Sequence, residues 1–205
     1  MDIGETEIIQ RVLAGERHPF QMLVERYSEK GMTLAMRMLR NREDAEEALQ
    51  DAFIRAYRSL GRFEGKSSFS TWFYRILFNA CASALRKRGE DIHLPLESDA
   101  GVARATSPEG DRPDTRYHGA ELERIVAEEI DALPPVYGGV FTLFFVQEMA
   151  YEEIAQVAGL PVNTVKTRLF RARALLREGV AKRLREREYI RDVSTGTDRN
   201  EREGS

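Results

Sequence analysis

Between Arg62 and Arg88 the sequence sets six aromatic rings, Phe63, Phe69, Trp72, Phe73, Tyr74 and Phe78, among six Lys/Arg residues and one acid, Glu64. Rings offer flat faces and cations offer positive charge. Together they suit a single nucleic-acid strand, whose bases stack while its phosphates are neutralised; stacking contributes about 1–3 kcal/mol per base. The rings could equally be an ordinary core. Helical spacing separates the two readings, because one helix buries one side. Phe73, Leu77 and Phe78 fall on a core side, whereas Trp72, Arg75, Asn79 and Arg86, at spacings of three, four and seven, share another.

A second constellation lies in "YEEIAQVAGLPVNTVKTRLFRARALLRE". Tyr151 to Ala158 reads as a short helix with Ile154, Ala155 and Ala158 inward. Gly159 supplies a turn conformation that other residues resist, and Pro161 suits the entry to the next helix. Val162, Val165, Leu169, Ala172 and Leu176 make its apolar stripe. The opposite face presents Asn163, Lys166, Thr167, Phe170, Arg171 and Arg173. Such a helix can lie in a major groove and read base edges. A solvated basic face on a helical hairpin is the plainer reading, and the Ala–Gly–turn spacing favours the helix-turn-helix.

The elements that must position these residues are all helical. Apolar periodicity predicts helices over Glu5 to Ala14, Phe20 to Tyr27, Gly31 to Leu39 and Ala45 to Leu60, with a cap within Asn41 to Asp44. A helix follows from about Ser70 to Lys87, capped by Ser70 or Thr71. Residues 89–119 are rich in Ser, Asp, Gly and Pro and read as a flexible linker. Beyond it come Ala120 to Ala132, a Leu133-Pro134-Pro135 break, and Val136 to about Glu148. Gly138 and Gly139 inside that helix cost about 1 kcal/mol each relative to Ala, for no reason visible in the sequence. The fold class is therefore all-α, with two small helical domains, 1–88 and 120–187, joined by the linker, the second a helix-turn-helix. A polar tail, 188–205, is expected to fray.

Bulk properties narrow the function. The net charge of the 205 residues is −3, yet the charge is segregated: Ala120 to Ala158 holds one Arg and eight acids, and Gly159 to Arg187 holds nine Lys/Arg and two acids. Two basic blocks thus sit in an acidic chain. Cys81 is the only cysteine, so no internal disulfide forms. The N-terminus lacks a signal pattern, and the charge-free run Leu133 to Gln147 is too short to span a bilayer. These features predict a cytoplasmic protein without membrane insertion. His18, His93 and His118 are scattered, Cys81 has no nearby base, and no phosphate-binding Gly-rich loop is present. Neither an enzyme nor a cofactor is expected.

Taken in order, "DAEEALQDAFIRAYRSLGRFEGKSSFSTWFYRILFNACASALRKR" and "LPPVYGGVFTLFFVQEMAYEEIAQVAGLPVNTVKTRLFRARALL" resemble the extracytoplasmic-function sigma factors of bacterial RNA polymerase. The resemblance implies a protein that binds core RNA polymerase and directs it to two-element promoters. The first domain would open and read the −10 element as a single strand, and the second would read the −35 element as duplex. Carried onto this chain, Phe63, Glu64, Gly65, Lys66, Ser67 and Ser68 with Asn79 would receive an unstacked base. Trp72 and Arg75 would border the melting point. Lys166, Thr167, Phe170 and Arg171 would read the −35 element. Glu47, Gln50, Asp51 and Ile54 would dock on polymerase, although a solvated face explains that polar strip as well. An anti-sigma factor is a further implied partner.

The chain departs from the family pattern at Ser83, at Ala150 in place of a capping residue, at Gly138-Gly139 and at Phe144-Phe145. The linker fits the assignment by magnitude: 31 residues extend to roughly 100 Å but average about 30 Å as a coil. The two elements lie about 60–80 Å apart on duplex DNA, so something must hold the linker stretched. A stand-alone helix-turn-helix regulator is the alternative, but it leaves the first basic block unexplained.

Overall fold

The computed structural model describes residues 4–90 and 119–200, with side chains up to residue 187. Of the expected linker, 89–119, residues 91–118 lie outside the described residues, and so do the last five positions of the tail, whereas Gly119 already belongs to a helix. Among the described residues there are helices and turns and no strand. In chain order they are α1 (Glu5–Leu13), α2 (Pro19–Leu39), α3 (Arg42–Ser59), a 3₁₀ turn (Leu60–Arg62), α4 (Phe69–Lys87), α5 (Gly119–Ala132), α6 (Pro135–Phe145), α7 (Tyr151–Ala158) and α8 (Val162–Asn200).

Local chemistry sets most boundaries. Asn41 Oδ1 accepts from the Asp44 N–H at 3.0 Å and starts α3. Arg40, in a left-handed conformation (φ 53°), ends α2 just before it. α4 starts earlier than its sequence suggests, because the cap is Ser68, not Ser70 or Thr71. Ser68 Oγ accepts from the Thr71 N–H at 3.2 Å and lies 2.8 Å from the hydroxyls of both Ser70 and Thr71. The two expected segments around Gly31 are one helix, α2, with Gly31 buried inside it. A Cβ there would lie 2.8 Å from Leu49 Cδ1, so glycine sets how closely α3 approaches. α6 ends at Phe145, short of the expected Glu148, and Glu148 itself turns the chain at φ 56°. α8 continues past the expected end near residue 187 to Asn200.

The chain forms two compact units. Among the described residues, the first comprises 4–90 and 134–170, and the second 119–133 and 171–200. In the first, α2, α3 and α4 pack on one another around Leu23, Tyr27, Leu34, Met38, Phe53, Phe73 and Leu77. α6 lies on α2, and α7 lies on α4. α6 is buried on more than one side, through Val136, Tyr137, Gly139, Val140 and Leu143. A helix apolar all round needs cover from several neighbours, and α2 supplies part of it. In the second unit, Arg183 of α8 pairs with Glu128 and Glu129 of α5, and Arg187 pairs with Glu121.

Candidate nucleic-acid interface

α4 carries the first set of candidate residues, and its burial divides them as helical spacing predicts. Phe73, Leu77 and Phe78 are buried, whereas Arg75, Asn79 and Arg86 are exposed. Trp72 is half-buried. Its ring packs against Phe63 and Phe69, with centroids 5.2 and 5.7 Å away, leaving only part of the indole to stack on anything else. Arg86 donates to Ser83 Oγ at 2.8 Å, so Ser83, one of the departures from the family pattern, orients a cation at the end of this row.

The loop before α4 exposes Glu64, Gly65, Lys66 and Ser68, with Phe63 and Ser67 half-buried. Gly65 has φ +67°, a conformation a side chain would strain. Glu64 and Lys66 pair with each other. The loop forms one wall of a pocket of about 460 Å³ whose other wall is α1, through Glu5, Thr6, Ile9 and Gln10. Asn79 does not line this pocket. It lies ten residues beyond Phe69, about 15 Å along the helix axis. Sequence reasoning missed the α1 wall, and no local signal could have supplied it, because α1 lies some fifty residues away. The Glu5 carboxylate is already engaged, accepting from the Tyr27 hydroxyl and facing Arg26 at 3.5 Å. Burial, and then Glu5, raises the Tyr27 hydroxyl above its ordinary range, so it remains a donor.

The second set sits on α7 and α8. Gly159 joins them with φ 65° and ψ 37°, and its N–H returns to the Ala155 carbonyl. Ile154, Val157, Val165 and Leu169 are buried; Asn163, Lys166, Phe170 and Arg173 are exposed, and Thr167 and Arg171 are half-buried. The Thr167 hydroxyl donates back to the Asn163 carbonyl at 3.0 Å, leaving its oxygen able to accept. Lys166 Nζ lies 5.7 Å from the Tyr151 ring centroid, which holds the ammonium near the start of the recognition helix. Ala150 offers no side-chain cap to α7. Glu153 supplies half a capping box, its Oε2 accepting from the Ala150 N–H at 2.9 Å.

On α3, Glu47 and Gln50 are exposed, Asp51 pairs with Arg55 at 2.7 Å, and Ile54 is 43% exposed. Ile54 is not isolated. With Phe20, Phe53, Tyr57 and Arg58 it lines an apolar hollow of about 500 Å³, in which Phe20 and Tyr57 meet edge to face at 5.0 Å. The sequence shows this face as polar because Phe20 comes from α2.

Comparison with known proteins follows the same division. Residues 23–90 match the family model for sigma-70 region 2, and residues 123–176 match that for sigma-70 region 4. The RNA polymerase sigma-H factor of Pseudomonas aeruginosa is 35% identical over 189 residues, covering 89% of this chain and 96% of that protein. The ECF RNA polymerase sigma factor SigW of Bacillus subtilis is 36% identical, covering 83% and 93%. Among solved structures, CnrH in complex with the cytosolic domain of CnrY matches with TM-score 0.58 at 24% identity, covering 84% of this chain and 94% of that one. The sigma factor RpoE in complex with the anti-sigma factor NepR from Bartonella quintana matches with TM-score 0.58 at 22% identity, covering 79% and 96%. At those identities the two structures show the shared fold alone.

Proposed function

The chain belongs to the extracytoplasmic-function sigma factors of the sigma-70 family, and from that premise we propose which of its surfaces carries each part of the work. It binds core RNA polymerase and directs initiation at promoters. We assign 1–88 to core binding, −10 recognition and melting, and 120–187 to the −35 duplex, with 89–119 as the connection. The observation that carries this division is the presence, on one chain, of two exposed cationic helix faces of different character. The α4 face, with Arg75, Asn79 and Arg86 beside Trp72, has an aromatic flank suited to unstacked bases. The α8 face, with Asn163, Lys166 and Phe170, has the shape and donors of a major-groove reader.

Opening the duplex then runs on binding energy. Extruding a base costs a few kcal/mol, which stacking and the loop pocket offset, so no catalytic step is assigned to the protein. Work alongside core polymerase places it in the cytoplasm, and among the described residues no helix is long and apolar enough to cross a membrane. On α3 we assign Glu47, Gln50, Asp51 and Ile54 to polymerase, with Tyr57 extending the patch. Control by an anti-sigma factor is part of the same reading.

Run-off transcription with purified core polymerase on a promoter library tests the whole. Defined start sites that need this chain are expected; their absence overturns the proposal. Asn79→Ala should weaken open-complex formation, read by permanganate reactivity of unpaired thymines, while leaving polymerase affinity unchanged.

A further inference from the structure

α6 has two unlike sides. A Cβ on Gly139 would lie 3.2 Å from Met38 Cγ, Met38 Sδ and Phe78 Cε2, so glycine is what lets this side approach its neighbours. At helical spacing Phe141, Phe144 and Phe145 fall on the side away from Gly139. There they form a run of rings. Phe141 and Phe145 lie 4.4 Å apart at 35°, and Phe145 meets Phe144 edge to face at 4.9 Å and 82°. Phe144 then lies nearly parallel to Tyr151, at 5.2 Å and 7°. The run ends in a cation, because Lys166 Nζ is 5.7 Å from the centroid of the same Tyr151 ring. Contacts thus pass from α6, through the first residue of α7, to the second turn of α8. Phe144-Phe145 is where the sequence departs from the family pattern, and this run gives the pair a use.

A role in the core alone would have buried these rings. Phe145 is instead 46% exposed, and Phe144 and Tyr151 are half-buried. Tyr151 opens α7 behind Ala150, which offers no side-chain cap, so packing sets the direction of its ring. A near-parallel partner at this distance is a favourable offset stack. Lys166 is exposed, and its four-carbon stem has many rotamers. A ring face within about 6 Å attracts the ammonium through its quadrupole. A side chain already held where it will act loses less freedom on binding. That loss corresponds to about two- to tenfold in affinity for a rotamer-rich side chain.

We propose that Phe144 and Tyr151 are positioning residues for −35 recognition: Phe144, braced by Phe145, orients the Tyr151 ring, and the ring holds Lys166 in place before DNA arrives. Lys166 is held on the exposed side of α8 that also presents Asn163 and Phe170, three and four residues away. Neither ring has to touch DNA to do this. The brace leaves the charge itself unaltered, so it acts on how readily the ammonium meets its target and not on how many cations the duplex meets. The hold on Lys166 is a property of the free chain, and its consequence for promoters rests on the sigma-factor reading.

Two measurements on the full chain test this. The first is the NMR signal of the Lys166 ε-methylene, assigned by its loss in Lys166→Arg. The Tyr151 ring current should shift it upfield. Tyr151→Leu should abolish that shift, Phe144→Leu should reduce it, and Tyr151→Phe should keep it. The second is binding, by fluorescence anisotropy, to the duplex that the unmodified chain selects from a random-sequence pool. Tyr151→Leu and Phe144→Leu should each weaken binding about fivefold, and Tyr151→Phe less than about twofold. In a Lys166→Ala background neither leucine should weaken it further. The slope of log K against log salt should match the unmodified chain, because the charge remains. Far-ultraviolet circular dichroism checks folding, and if Tyr151→Leu does not fold, Phe144→Leu decides. A lysine signal that neither leucine moves overturns the proposal. So does the same loss of binding in the Lys166→Ala background, which would make the rings mere support for the fold. If both measurements come out as expected but the chain supports no run-off transcription, the sigma-factor reading fails and the brace stands.

Discussion

At the scale of single residues, two positions show how an unusual side chain finds a substitute or a use. Ala150 sits where a capping hydroxyl belongs, at extended backbone angles, and the Glu153 carboxylate closes α7 only from the other side. Ala150→Ser would add the missing acceptor for the first-turn N–H groups. The expected gain is about 1 kcal/mol, read as a higher urea midpoint with unchanged slope. Cys81 is the opposite case, a side chain with no chemistry to do. Burial pushes its thiol up to about 12, whereas an exposed thiol ionises near 8.5. At pH 8 the folded protein should resist iodoacetamide, and alkylation should follow unfolding by denaturant. The sign of the linkage is fixed: the folded thiol keeps its proton while the unfolded one loses it. This contribution to stability is thus intact below about 8.5 and declines as pH rises towards 12.

At the scale of elements, legibility in the sequence followed the range of the cause. The helix-turn-helix was readable because its determinants are local: Gly159 for the left-handed turn, and an apolar stripe through Val165, Leu169 and Ala172 against a polar one. The two sides of α4 were readable for the same reason. Gly139 was not, because its explanation lies in Met38 and Phe78, about one hundred and about sixty positions earlier. Nor was the wall that α1 gives to the loop pocket, or the ring that Phe20 adds beside Ile54. The start of α4 was missed for a subtler reason. Three hydroxyls, Ser68, Ser70 and Thr71, compete for the cap within four residues, and only backbone geometry shows that Ser68 wins. Ser68→Ala should therefore cost about 1 kcal/mol, and Ser70→Ala should stay within about 0.5 kcal/mol. Thermal melts of the two variants check the difference, and the reverse order would return the cap to Ser70.

At the scale of the whole molecule, the question is how an acidic chain holds DNA. Counting charges in sequence gives nine Lys/Arg between Gly159 and Arg187 and suggests a long cationic rod. The structure shortens it. Arg183 is engaged by Glu128 and Glu129, and Arg187 by Glu121, so the acids of α5 are spent on the far part of α8. Gly179 makes room for this, since a Cβ there would overlap the Glu129 carboxylate. Near the start of α8, Lys166 instead lies over the Tyr151 ring, 5.7 Å from its centroid. Each phosphate neutralised steepens the dependence of log K on log salt by about 0.9, which makes the slope a count of working cations. For a −35 duplex, Lys166→Ala should reduce the slope by about 1, whereas Arg183→Ala and Arg187→Ala should leave it unchanged. Equal reductions from all three would mean that DNA strips α5 of its partners and that the full basic block engages the duplex. An unchanged slope in Lys166→Ala would instead make that ammonium a base contact, and its loss would then show as altered sequence preference at constant salt response.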